Sequence, residues 1–253
     1  MAQRTEGPPD YDPDRPPWEL TAAIGIWFFS LATMLAAQLA ALYLWMAAKG
    51  AAARFERLEE DPVAVFVSVV SISFAHLLTL AACWAVVTGS GRRPFFRSLG
   101  WSWIGPSQLL KIAYVVVVVV AVYAIIPIAE HVLPERETPF ERILRVSPLV
   151  RISVAFMAVA TAPLTEEVVY RGVLYSALIS RVGKWAAVAL VTVLFGLVHF
   201  PQYWGAWASL SRIMLLSFVL TLTRAQARSI QPCFAIHLLN NIIGGALIIA
   251  EGG

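Results

Sequence analysis

The chain has 253 residues, 59% of them hydrophobic and 14% charged, with a mean hydropathy of +0.72. A soluble domain carries about 25% charged residues, so this composition excludes an ordinary soluble globule and points to a polytopic membrane protein. The formal net charge of +3 is too small to argue for nucleic acid, and no zinc finger, Walker loop or dinucleotide fingerprint occurs.

Residues 1–17 are polar and rich in Pro and Asp, which predicts a flexible tail. They lack the basic region, short apolar core and cleavage site of a signal peptide, so the first span is expected to stay in the mature protein. Residues 18–253 read as a single transmembrane helical domain, all-α, with about eight helices and seven or eight crossings. Its apolar segments run from Leu20 to Ala48, Val63 to Thr88, Ile112 to Ala129, Leu149 to Ala162, Trp185 to Phe200, Trp207 to Leu222 and Gln231 to Ala250. Two of these, Leu149 to Ala162 and Trp185 to Phe200, need flanking residues to span the hydrocarbon. Leu164 to Ser180 is either a separate span or a continuation of the helix before it, with a kink expected at Pro163. Nine Trp and seven Tyr suit a chain with anchors at the membrane interface.

Charge sets the expected orientation. Gly89 to Lys111 holds Arg92, Arg93, Arg97 and Lys111 and no acid, so it is assigned to the cytoplasm together with the N-terminus. The connections Arg54 to Asp61 and Glu130 to Arg145 carry mixed charge and fit the opposite side. The turns flanked by Arg181 and Lys184, and by Arg224 and Arg228, follow the same rule. Leu149 to Ser180 then makes one net crossing of about 32 residues, roughly 48 Å of helix, so part of it must bend, tilt or project.

Against this background three polar islands stand out: Glu166-Glu167 with Arg171, His199 after Phe195, and His237 with Asn241. Ionisable groups in or beside hydrocarbon are costly and mark function unless they pair. Helical spacing puts Glu167 and Arg171 on one face, where they can pair, and turns Glu166 elsewhere with only Tyr170 one turn on. A poorly solvated Glu166 is suited to general-base work. His199 could share a water with it if the helices pack together. His237 and Asn241 share a face and offer two donors for charge growing on a carbonyl oxygen. The competing structural readings are an ion-pair cluster at a membrane edge, an interfacial histidine before Pro201, and an interhelical hydrogen bond. His76, with no polar residue four positions away, reads as a packing or hydrogen-bonding residue, and His131 as solvated. Cys83 and Cys233 read as packing residues. Gly172, Gly244 and Gly245 are expected where helices approach closely.

Glu166-Glu167-xxx-Arg171, Phe195-xxx-His199 and His237-xxx-Asn241, in that order, resemble the CAAX protease and bacteriocin-processing family, also called CPBP or Abi proteins. These are glutamic intramembrane proteases related to type II CAAX prenyl endopeptidases. The resemblance covers residues 149–250. It implies that Glu166 activates water with help from His199, that Glu167 and Arg171 form a supporting pair, and that His237 and Asn241 make the oxyanion site. Phe195 would line the cavity, and neither a metal nor another cofactor is implied. The implied substrate is a membrane-anchored protein cut near its C-terminus or anchor, whether lipidated or carrying a C-terminal sorting segment. The cavity would open to the cytoplasmic side and laterally to lipid. The short chain leans towards a bacterial cytoplasmic membrane. One departure is that Trp207 to Leu222 contains no glycine, unlike the corresponding helix of many relatives.

Three other functions compete. Two histidines and a glutamate are also a catalytic zinc set, although His-Glu-xx-His is absent. Buried carboxylates and histidines serve proton-coupled transport, although no internal repeat is evident. A silent scaffold that binds membrane peptides is the third.

Overall fold

The computed structural model describes residues 12–50, 58–133 and 136–250. Most of the polar tail lies outside the described residues, as do residues 54–57 of one mixed-charge connection and Glu135 of the other. The described residues form helices and turns with no strand.

Two long antiparallel helices open the bundle: α1 (Leu20–Lys49) and α2 (Pro62–Thr88). Asp61 starts α2 by accepting from the Val63 and Ala64 amides, with Pro62 at the first helical position. Gly89, in the left-handed region at φ 58°, stops it. A short turn, α3 (Phe95–Ser98), leads to α4 (Gln108–Val132), which Ser107 caps. Helix α5 (Pro139–Arg145) begins with a reciprocal capping box between Thr138 and Glu141.

The next run is continuous but irregular. It comprises α6 (Pro148–Ala160), α7 (Ala162–Glu166), a π-helical segment (Glu167–Leu174) and α8 (Tyr175–Val182). Thr161 departs from helical geometry at φ −120°, ψ −38°, two residues earlier than the kink expected at Pro163. A proline disturbs the turn before it because its ring crowds that turn and it brings no N–H. In the π segment the Tyr175 N–H reaches the Tyr170 carbonyl, five residues back. The stretch therefore bends and widens while remaining one 35-residue apolar run.

Helix α9 (Lys184–His199) returns across the bundle, and α10 (Trp207–Ala227) and α11 (Gln231–Ala250) complete it. Six helical runs are long and apolar enough to cross a membrane, and α9 is a shorter apolar helix of 10–17 residues. The chain is an all-α, multi-pass integral membrane protein. Leu35, Leu39, Phe74, Leu77, Leu109 and Val117 are exposed on the outer surface, as lipid contact requires. In the valine run 115–120, Val119 is buried against α10 and α11, whereas Val116, Val117 and Val120 face outwards.

The glycine missing from α10 is supplied by its neighbour. A Cβ on Gly196 of α9 would lie 2.0 Å from Met214 Sδ of α10, so the close approach depends on Gly196. Gly172 plays the same part against Leu99, at 2.9 Å. Gly244 has open space beside it, and Gly245 makes only ordinary contact with Ala155 and Val159. Cys83 and Cys233 are free and fully buried.

From Asp12 onwards the tail is docked. Arg224, fully buried in α10, donates to Asp14 Oδ1 at 2.8 Å, to the Pro13 carbonyl at 2.8 Å and to Ser176 Oγ at 3.1 Å. Arg228 bonds Asp12 and lies 3.1 Å from Asp14 Oδ2. The Trp18 indole donates to the Val173 carbonyl inside the π segment at 3.1 Å. A buried guanidinium needs its anion, and that need ties the segment down.

Two outcomes follow. Asp14→Ala lowers the thermal midpoint in detergent by several degrees, and Arg228→Ala lowers it less, because Arg228 is more than half exposed. The Asp14 backbone N–H, and then the Arg228 guanidinium, hold the Asp12 carboxyl below its usual range. The Asp12 contribution to docking is therefore complete above about pH 4, the ordinary carboxyl value. It fades as pH falls through the lowered folded value. Limited proteolysis of the tail across an acid titration measures this. Separately, Gly196→Ala costs about 1–3 kcal/mol by overpacking, and Met214→Ala in the same chain recovers part of it in thermal unfolding.

Candidate active site

The widened turn of the π segment delivers Arg171 into the centre of the bundle, fully buried. Its Nε donates to Thr221 Oγ1 at 3.2 Å. One terminal nitrogen donates to Glu167 Oε1 at 3.1 Å, and the other to the Ser217 carbonyl at 3.0 Å and Ser217 Oγ at 2.9 Å. The guanidinium also lies 4.8 Å from the centre of the Phe195 ring. A desolvated guanidinium requires this many partners, because each unmet donor carries a desolvation penalty.

Glu167, also fully buried, joins this cation to α11. Its Oε1 accepts from Arg171 and lies 2.8 Å from His237 Nδ1. Glu167 Oε2 is buried with no protein hydrogen bond. Since a carboxylate in an ion pair only accepts, His237 carries its proton on Nδ1, and Nε2 points towards Glu166 Oε2 at 3.7 Å. The Glu166 side chain is 22% exposed and spends no oxygen on a hydrogen bond among the described residues. Its expected neighbour Tyr170 is engaged elsewhere, since the hydroxyl accepts from the Trp27 indole at 3.1 Å.

His199 is oriented from its own helix. Its Nδ1 lies 2.8 Å from the Phe195 carbonyl, which can only accept, so the proton sits on Nδ1 and the Nε2 lone pair is free. The ring stacks on Phe195 with centroids 4.5 Å apart. Phe195 meets Tyr170 at 5.0 Å and His237 at 6.2 Å, both edge-on. Phe195 thus stands between the two histidines. Among the described residues His237, and not His199, comes within ion-pair range of Glu166.

Asn241 is placed differently from a free donor. Its Nδ2 donates to the Ala158 carbonyl at 2.8 Å, next to the bend at Thr161, and its Oδ1 accepts from Asn240 at 3.0 Å. Helix spacing put His237 and Asn241 on one face but could not show that the bend exposes a carbonyl competing for the amide. One Asn241 N–H remains for other work. Ser217 and Thr221, which complete the Arg171 cage, were missed in the sequence. Their spacing of four in an apolar helix was the available signal.

A groove of about 480 Å³ runs beside the site between α1 and the end of α9, lined by Trp27, Leu31, Gln38, Leu197, Val198 and Gln202 among others. It is mostly apolar and lies next to His199. Among the described residues no three His, Cys, Asp or Glu side chains gather as metal ligands.

Residues 148–243 match the family model described as type II CAAX prenyl endopeptidase Rce1-like. That segment is Rce1-like. It contains Glu166, Glu167, Arg171, Phe195, His199, His237 and Asn241, and it omits α1 to α5. The matched family is one of endopeptidases, and the similarity covers the C-terminal part of the chain, less than half of its length. No curated protein and no solved structure gives a significant match.

The Arg171 cage yields a test. Arg171→Lys removes the planar fork and leaves Ser217, Thr221 or Glu167 unpaired. Breaking a buried pair costs about 3–5 kcal/mol, so the variant is recovered from membranes in much lower yield. Thr221→Val, which removes one neutral acceptor, costs about 1–2 kcal/mol.

Proposed function

We propose that this chain is an intramembrane endopeptidase that cuts a membrane-anchored protein near its C-terminus or anchor, with water activated by Glu166. The observation that carries this reading is the division of labour between two adjacent carboxylates. Glu167 is buried and committed to Arg171 and His237, while Glu166 is partly open and uncommitted. A general base must have a free oxygen and access to water, and only Glu166 has both.

The remaining roles follow from tautomers. His199, with its proton fixed on Nδ1, presents a lone pair that can hold or align the attacking water beside Glu166. His237 donates Nδ1–H to Glu167. To stabilise an oxyanion through Nε2 it must also be protonated there. With an imidazolium, the cluster of Glu166, Glu167, Arg171 and His237 sums to zero charge, the arrangement cheapest in a low-dielectric setting. The free N–H of Asn241 supplies a second donor. Glu167 and Arg171 hold His237 in place. Attack by water on the carbonyl carbon gives a tetrahedral oxyanion, and the proton taken by Glu166 passes to the departing amine. The apolar groove beside His199 suits a substrate that arrives through lipid, whether carried by a lipid group or a C-terminal sorting segment, and a bacterial cytoplasmic membrane is the proposed setting.

The experiment compares the parent with Glu166→Gln on tail-anchored, prenylated and C-terminally tagged proteins in membranes, locating new termini by mass spectrometry. Glu166→Gln is expected to lose at least about 100-fold in cleavage at unchanged protein level. Cleavage by the parent is expected to persist after chelation; loss of cleavage with recovery on added zinc would transfer the role to a metalloprotease. Substantial cleavage by Glu166→Gln would remove Glu166 as the base.

A further inference from the structure

His76 is the one histidine of the bundle core outside the Rce1-like segment. It sits in the middle of α2, 5% exposed. Its Nδ1 lies 2.9 Å from Thr161 Oγ1, the residue at which the long run bends. The Thr161 hydroxyl spends its own hydrogen on the Met157 carbonyl, at 3.3 Å. It therefore offers His76 only a lone pair, which fixes the imidazole proton on Nδ1 and leaves a lone pair on Nε2. No protein group takes that nitrogen among the described residues.

The bond to Thr161 ties this ring to the bend that leads into the candidate site. Glu166 follows Thr161 by about one and a half turns, and α2 packs against both α7, which ends at Glu166, and the π segment. Other charges are distant or already committed. Helix α1 carries none from Leu20 to Ala48. In the π segment, Glu167 and Arg171 are bound to each other. Arg151 of α6 precedes Thr161 by about ten residues, or roughly 15 Å. Arg97 of α3 lies beyond the far end of α2, which is about 12 residues or roughly 18 Å from His76.

We infer that His76 is a positioning and proton-holding partner of Glu166, contributed by the half of the chain that the family resemblance does not cover. This rests on Glu166 being the base. When Glu166 takes a proton from water, the Nε2 lone pair of His76 accepts it through intervening water. The proton returns through Glu166 to the leaving amine nitrogen, and no electrons are exchanged with any other group. A held proton makes the imidazolium a counter-charge for Glu166, so the carboxylate is restored before the amine departs. The Thr161 hydroxyl is what keeps the ring in the tautomer able to do this.

The test uses the full chain in nanodiscs. His76→Gln, which keeps a hydrogen-bonding side chain, is expected to lower kcat about tenfold with KM unchanged and to remove one limb of the kcat pH profile. Thr161→Val is expected to change the same limb more weakly. In ¹⁵N-histidine spectra, the pH at which the His76 resonance, assigned by its loss in His76→Gln, changes is expected to move in Glu166→Gln. A His76→Gln pH profile that superposes on the parent, or a His76 resonance indifferent to Glu166→Gln, overturns the inference while leaving Glu166 as the base. Full cleavage by Glu166→Gln overturns both readings together.

Discussion

A buried guanidinium organises this bundle. Arg171 is fully enclosed, and water cannot supply the partners that its donors need. Meeting that requirement fixes four elements at once: the π segment through Glu167, α10 through Ser217 and Thr221, α9 through the Phe195 ring, and α11 through His237 on the far side of Glu167. Hydrophobic packing between apolar helices in lipid is poorly directional, because lipid tails are as apolar as the side chains. The polar cage supplies the register that packing leaves loose.

The proposed chemistry sits on the periphery of this cage. Glu167 is buried and bound through Oε1 to Arg171 and His237, whereas Glu166 is partly open and unbound, although they are neighbours in sequence. The two histidines flank Phe195 with their protons assigned by acceptors that cannot donate, a carboxylate for His237 and a backbone carbonyl for His199. Both rings are therefore held in one orientation by the protein itself, the preorganisation that the proposed catalysis calls for.

Much of this was legible in the sequence. The long spans, the pairing of Glu167 with Arg171, and the gathering of separate polar islands follow from helical period and the cost of charge in hydrocarbon. What was not legible depended on partners far away in the chain. The bend at Thr161 claims an Asn241 N–H, and no spacing within α11 announces that. His76 looked isolated because its partner, Thr161, lies on another helix rather than on its own. The docked segment from Asp12 to Pro17 read as loose because its partners, Arg224 and Arg228, come some 210 residues later. The lack of a glycine in α10 left its packing open, and the close approach to α9 uses Gly196 instead, since a small residue is needed on only one side.

The π segment has a consequence for how this chain tolerates insertion and deletion. A π turn amounts to one residue more than an α-helix of equal span holds, and that surplus lies between Glu166 and Tyr175. Removing any one residue there would return the run to α geometry and make it look more regular. The flanking helices would keep their phase, because a π turn absorbs its surplus residue as one wider turn. What would shift is Arg171, which the widened segment carries into its cage of Glu167, Ser217 and Thr221. The cage, rather than the helices on either side of it, depends on a single supernumerary residue.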